Sequence, residues 1–118
     1  MPPRWESLRT EASRRVEQVL KDGGFEQVDA YQVHRFVTHV RVISAKFADK
    51  SEAERDKMCA PWLDRLSDDD QADIMRLLMF TPEEADGDPR TSHETRLSYD
   101  FDDPQPSRLA RVPESDES

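Results

Sequence analysis

A chain of 118 residues, 36% charged and 35% hydrophobic, has room for one domain and a tail but too few apolar side chains to pack its whole length. Its net charge of −9 opposes nonspecific binding to phosphate backbones. One cysteine permits no internal disulfide, and no apolar run resembles a leader's core or a membrane span, so a soluble cytoplasmic protein is expected.

The charge is unevenly spread. Residues 1–85 hold 13 Lys/Arg against 17 Asp/Glu, whereas residues 86–118 hold 4 against 9, more than half of the acidic excess in the shorter part. A domain over 1–85 and a flexible acidic tail over 86–118 are therefore expected.

In chain order, Trp5, Leu8, Ala12, Val16, Val19 and Leu20 share one helical face, with Arg9, Glu11, Arg14, Arg15 and Glu17 opposite. This spacing predicts one helix over residues 4–21, ended by Gly23 and Gly24, which supply the positive φ of a helix C-terminus. Residues 24–47 are rich in Val, Phe, Tyr, Ile and Thr and predict a hairpin turning near residues 33–36. The stretch 47–63, FADKSEAERDKMCAPWL, organises the rest. Ser51 and Glu54 form a capping box, and Met58, Cys59, Trp62, Leu63 and Leu66 make a core-facing stripe. Pro61 lacks an N–H and clashes with the preceding turn, so two short helices are expected, over 51–60 and from 61 onward.

Ser67 followed by Asp68, Asp69 and Asp70 is a second helix start, and the acids suit the positive end of a helix dipole. No glycine turn or closing glutamate makes them a calcium loop. Residues 74–80 fit either a helix or a buried strand. Thr81-Pro82-Glu83-Glu84 starts a new helix at 82, which favours the strand. The tail holds four of the eight prolines. Its alternating Leu97, Tyr99 and Phe101 suit an edge strand or a short docking segment, while its composition favours disorder.

The order α-β-β-α-α-β and several spaced residues resemble the BolA family, whose fold is a type II KH-like arrangement. The likeness covers about residues 12–85. Residues 40–47 (VRVISAKF) are similar to the family's valine-rich second strand closing in Ser and Phe. Phe47, Lys50, Ser51, Arg55 and Leu63 stand at the family's spacing, and residues 74–84 (IMRLLMFTPEE) look like its last strand and following helix start. The resemblance implies an α/β (α+β) domain with a three-stranded mixed sheet packed against helices. It also implies pairing with a monothiol glutaredoxin around a shared [2Fe–2S] cluster, held by a histidine that opens the last strand. That position is Asp73 here, the family's Arg-His pair is Arg55-Asp56, and the second ligand position falls near Val37. Carboxylate is a hard ligand that suits iron–sulfur clusters poorly, so the implied fold carries over and cluster binding does not.

The remaining chemistry-bearing residues form no constellation. His34 and His39 read as partly exposed sheet residues on opposite sides, Cys59 as a small core side chain, and His93 has no sequence neighbour to work with. No catalytic group, metal site or cofactor is expected. Arg35, Arg41, Lys46, Lys50, Arg55 and Lys57 gather around the strand-to-helix junction as a candidate partner or nucleic-acid face. With glycine only at 23, 24 and 87 there is no GxxG loop, and Glu52, Glu54 and Asp56 interleave with the basic residues. The sequence thus points to a non-catalytic BolA-like adaptor or regulator that binds a protein partner through the sheet edge or the helix pair. A weak nucleic-acid-binding regulator using residues 35–57 and a glutaredoxin-associated iron–sulfur trafficking factor are the alternatives.

Overall fold

A computed structural model describes residues 4–104. The chain forms a short 3-10 helix (Arg4–Leu8), α1 (Glu11–Asp22), β1 (Gln27–His34), β2 (Val37–Ile43), α2 (Glu52–Leu63), α3 (Asp68–Ala72), β3 (Ile74–Phe80), α4 (Pro82–Ala85) and α5 (His93–Asp102). The three strands lie in the order β1-β2-β3, with β1 antiparallel and β3 parallel to β2. The parallel crossover carries α2 and α3. The expected mixed sheet packed against helices is present, with the hairpin turn between His34 and Val37 and β3 over the residues anticipated.

Strand alternation gives the sheet two chemically different faces. Val28, Ala30, Val40, Val42 and Met79 meet Val16 and Leu20 of α1 and Cys59 of α2 in the main core. Phe25 stacks on Phe47 beneath the loop that follows β2, with ring centroids 5.5 Å apart. Met58, Trp62 and Leu63 border this core as the stripe predicted. A Cβ on Gly23 would stand 2.8 Å from the Trp62 ring, and Gly24 supplies the positive φ (88°) at the turn out of α1.

The opposite face is covered too, by parts of the chain that sequence pattern placed elsewhere. Trp5, Tyr31 and Phe101 form a second cluster with Leu8 and Leu78 at its border. Two corrections follow. Residues 4–21 are not one helix, because Thr10 is extended (φ −128°, ψ 174°) and caps α1 through a reciprocal box with Ser13. The break lets α1 pack on one sheet face while Trp5 reaches the other. Residues 93–102, placed within an unstructured tail or an edge strand, instead form α5, capped by Ser92. Its buried stripe is Thr95, Ser98 and Phe101, two small hydroxyl residues and one ring, while Tyr99 points to solvent. The folded part therefore extends past Ala85, and the rest of the anticipated tail, residues 105–118, lies outside the described residues.

Helix α2 brings a third correction. It runs unbroken through Pro61, because the proline sits in the last turn, where only one intrahelical bond is forfeited. The Asp64 N–H still bonds the Ala60 carbonyl at 2.9 Å, and the continuation keeps Trp62 and Leu63 against the core.

Candidate partner-binding site

The six basic residues expected to form one face are not brought together. Arg41 is buried (5% exposed) on the face covered by α5. Its guanidinium donates to Asp29 Oδ2 (2.8 Å), Asp102 Oδ1 (2.7 Å) and the carbonyl and hydroxyl of Ser98, and lies 4.4 Å from the Phe101 ring centroid. With carboxylates on β1 and α5 and the Ser98 groups as partners, this arginine latches α5 to the sheet. Arg55 is similarly engaged. It donates to both Glu84 oxygens (2.7 and 3.1 Å) and to the Met79 carbonyl (2.9 Å). The hydrogen bonds from Arg55 hold the Glu84 carboxyl below its ordinary range, and Glu84 raises the Arg55 pKa in return.

Lys46 lies over the Phe25 ring beyond the C-terminal end of β2, whereas Arg35 sits at the β1–β2 turn, at the other end of the sheet. Lys50 and Lys57 are exposed beside and on α2. Nucleic-acid backbones need aligned cations, and these are split between two ends and an interior. Asp70 belongs to the fold as well: Arg15 grips it through two hydrogen bonds of 2.7 and 3.1 Å, which pull its pKa down.

Thr38 N–H donates to the Asp73 carbonyl at 2.8 Å, so Val37 and Asp73 lie side by side where β2 and β3 begin. His34 on β1 pairs with Val37 and is exposed. His39 is half-buried, its ring 5.6 Å from that of Tyr31 at an interplanar angle of 61°, and burial, helped by nearby Arg76, lowers its pKa. Among the described residues no three of His, Cys, Asp and Glu are grouped so as to hold a metal ion. Cys59 is fully buried, and burial pushes its thiol up to about 12, which disfavours the thiolate form.

The same end of the sheet carries an apolar surface that the sequence analysis passed over. Phe36 is 61% exposed, Met75 63% and Val33 39%. Phe36 lies in the β1–β2 turn and Val33 near the end of β1, and Met75 bulges from β3 between the residues paired with Thr38 and His39. Of the large apolar side chains exposed among the described residues, only Tyr99 lies elsewhere. A detectable signal existed in Arg35-Phe36, since a phenylalanine at a tight turn has no core to enter.

Two hollows continue from this end along the outer side of β3. One, of about 360 Å³, is lined by Asp56, Leu63, Gln71 and residues 74–77. The other, of about 330 Å³, lies between the start of α2 and the start of α5, with Lys50, Glu52, His93, Glu94 and Leu97 on its walls and residues 77–80 as its floor. Among the described residues no helix is long and apolar enough to cross a membrane. Neither the protein-family models nor the curated proteins include a match to this chain.

Proposed function

We propose that this chain is a non-catalytic adaptor of BolA-like type that docks a protein partner at the open end of its sheet and has given up cluster binding. The observation that carries the reading is that Val33, Phe36 and Met75, three large apolar side chains, are exposed at one end of the sheet. Exposed aromatic and methionine side chains at one end of a sheet favour protein contact, because burying them against a partner gains what folding left unused. The cluster ligands are replaced by Asp73 and Val37, and Cys59 is out of reach in the core. A monothiol glutaredoxin is the first partner to try.

Nucleic-acid binding through residues 35–57 finds less support. Arg41 and Arg55 are held by carboxylates within the fold, and the chain is acidic overall. That alternative predicts affinity falling steeply with salt.

The test is an anaerobic titration with a cluster-loaded monothiol glutaredoxin, followed by visible absorption and backbone amide shifts. Shifts at Phe36, Val37 and Met75 with an unchanged cluster spectrum support an adaptor without metal. A changed spectrum with shifts at His34, His39 and Asp73 would show that cluster binding persists. Absence of any shift removes glutaredoxin as the partner.

A further inference from the structure

Among the described residues β3 is the last strand of the sheet, with β2 on one side and no strand on the other. Its outward backbone is identifiable. Thr38 N–H bonds the Asp73 carbonyl and Ser44 N–H bonds the Phe80 carbonyl, so the even-numbered residues of β2 face β3. Val40 pairs with Leu77 and bonds its flanking residues, which turns the N–H and C=O of Leu77 outward. Leu77 lines both hollows, which follow one another along residues 74–80 as a cleft beside β3. Asp56 and Leu63 of α2 border the hollow at residues 74–77, and the hollow at residues 77–80 lies between the start of α2 and the start of α5.

We propose, resting on the protein-docking reading above, that this cleft receives an extended segment of a basic partner protein, which joins the sheet beside β3 as a fourth strand. A strand added to an open edge gains affinity from main-chain hydrogen bonds and specificity from alternate side chains entering pockets on either side. Leu63, Ile74 and Leu77 offer an apolar pocket toward α2, and Leu78 and Leu97 offer one toward α5.

The walls choose the occupant's charge. Arg55 is committed to Glu84 and the Met79 carbonyl, which leaves Glu52, Asp56 and Glu94 facing the cleft against Lys50 and Arg76. The chain as a whole carries −9. A second copy would bring that charge against itself, whereas a lysine- or arginine-bearing segment is attracted. The edge is also guarded against self-pairing. Met75 bulges at its start and Arg55 blocks the Met79 carbonyl, so the pairing register is short and centred on Leu77.

The decisive experiment pans a displayed library of random twelve-residue peptides against the full-length chain. Winning peptides are then mapped by amide hydrogen exchange and shifts. The expected winners alternate apolar residues with Lys or Arg, slow the exchange of the Leu77 and Met79 amides, and bind the Met75→Lys variant at least tenfold more weakly. Met75 is exposed, so that variant keeps the fold, which circular dichroism checks. Winners that shift only Val33 and Phe36, leaving β3 exchange unchanged, overturn strand addition while leaving protein docking intact. Acidic or helical winners overturn it as well, and so does a library that yields no binder, because a short extended segment is all that strand addition needs. Loss of the docking reading itself would appear separately, as no partner contact at Phe36.

Discussion

Replacing Phe101 by alanine asks whether α5 belongs to the domain. The ring is 2% exposed and sits 4.6 Å from Tyr31, 5.8 Å from Trp5 and 4.4 Å from the Arg41 guanidinium. Truncating a buried phenylalanine costs about 3–5 kcal/mol through lost transfer energy and an incompletely collapsed cavity. Aromatic pairs add about 0.5–1.5 kcal/mol beyond area, and a desolvated cation–π contact about 2 kcal/mol, so the upper part of the range is expected. Two compensations are weak here: the Tyr31 hydroxyl keeps its bond to the Phe101 carbonyl (2.9 Å), and Arg41 keeps Asp29. Urea unfolding, read by tryptophan fluorescence, measures the loss. With an m-value of about 1.5 kcal/mol/M, a loss of about 4 kcal/mol lowers the midpoint by about 2–3 M. Tyr99→Ala, on the exposed side of the same helix, serves as control and should stay within about 0.5 kcal/mol. A Phe101→Ala loss under about 1 kcal/mol would show that α5 does not hold the second face of the sheet.

Other consequences are equally direct. Pro61→Ala restores an N–H to the last turn of α2 at an exposed position, and should stabilise the chain by about 1–3 kcal/mol in the same urea assay; destabilisation would contradict an unbroken α2. Glu84 has its pKa lowered by Arg55, so its stabilising effect is present above the unfolded glutamate pKa and is lost as pH falls through the folded value. Glu84→Gln should therefore flatten the acid limb of the stability–pH curve, and an unchanged limb would refute the Arg55 pairing. Cys59 should react with an aromatic disulfide reagent at pH 8 only as fast as the chain opens, because it is fully buried and its pKa is pushed up to about 12. Labelling on mixing would place it at the surface instead.

How far the fold could be read depended on whether a local signal agreed with its tertiary setting. The caps at Ser51, Ser67 and Thr81 were legible because side chain and backbone partner lie within one turn, and they forced β3 into the interval between α3 and α4. The failures share a cause. α5 buries Thr95 and Ser98, which carry no apolar signature, and their burial is satisfied by bonds from the Thr95 hydroxyl to the Glu84 carbonyl and from Arg41 to Ser98. Those partners are remote in sequence. The break at Thr10 was hidden because Trp5 and Leu8 keep the helical phase of Val16 and Leu20 while packing on the opposite side of the sheet. Of the candidate site, the adjacency of Val37 and Asp73 follows from the β2–β3 register, which no local pattern sets. The engagement of Arg41 and Arg55 was hidden too, since charge on a strand or helix says nothing about which carboxylate will face it. The exposed Met75 was equally hidden, because its bulge depends on the β2–β3 register, whereas Phe36 in the turn carried a local signal.

The central claim is that a protein docks on the sheet end marked by Phe36 and Met75. Its most direct test places a photo-crosslinking phenylalanine analogue at Phe36, at Met75 and, as control, at Tyr99 in the full-length chain, followed by irradiation in its own cells and identification of the adducts. The account predicts one shared protein partner captured from positions 36 and 75 and absent from position 99. Capture of nucleic acid, equal capture from Tyr99, or no adduct from Phe36 and Met75 would contradict it.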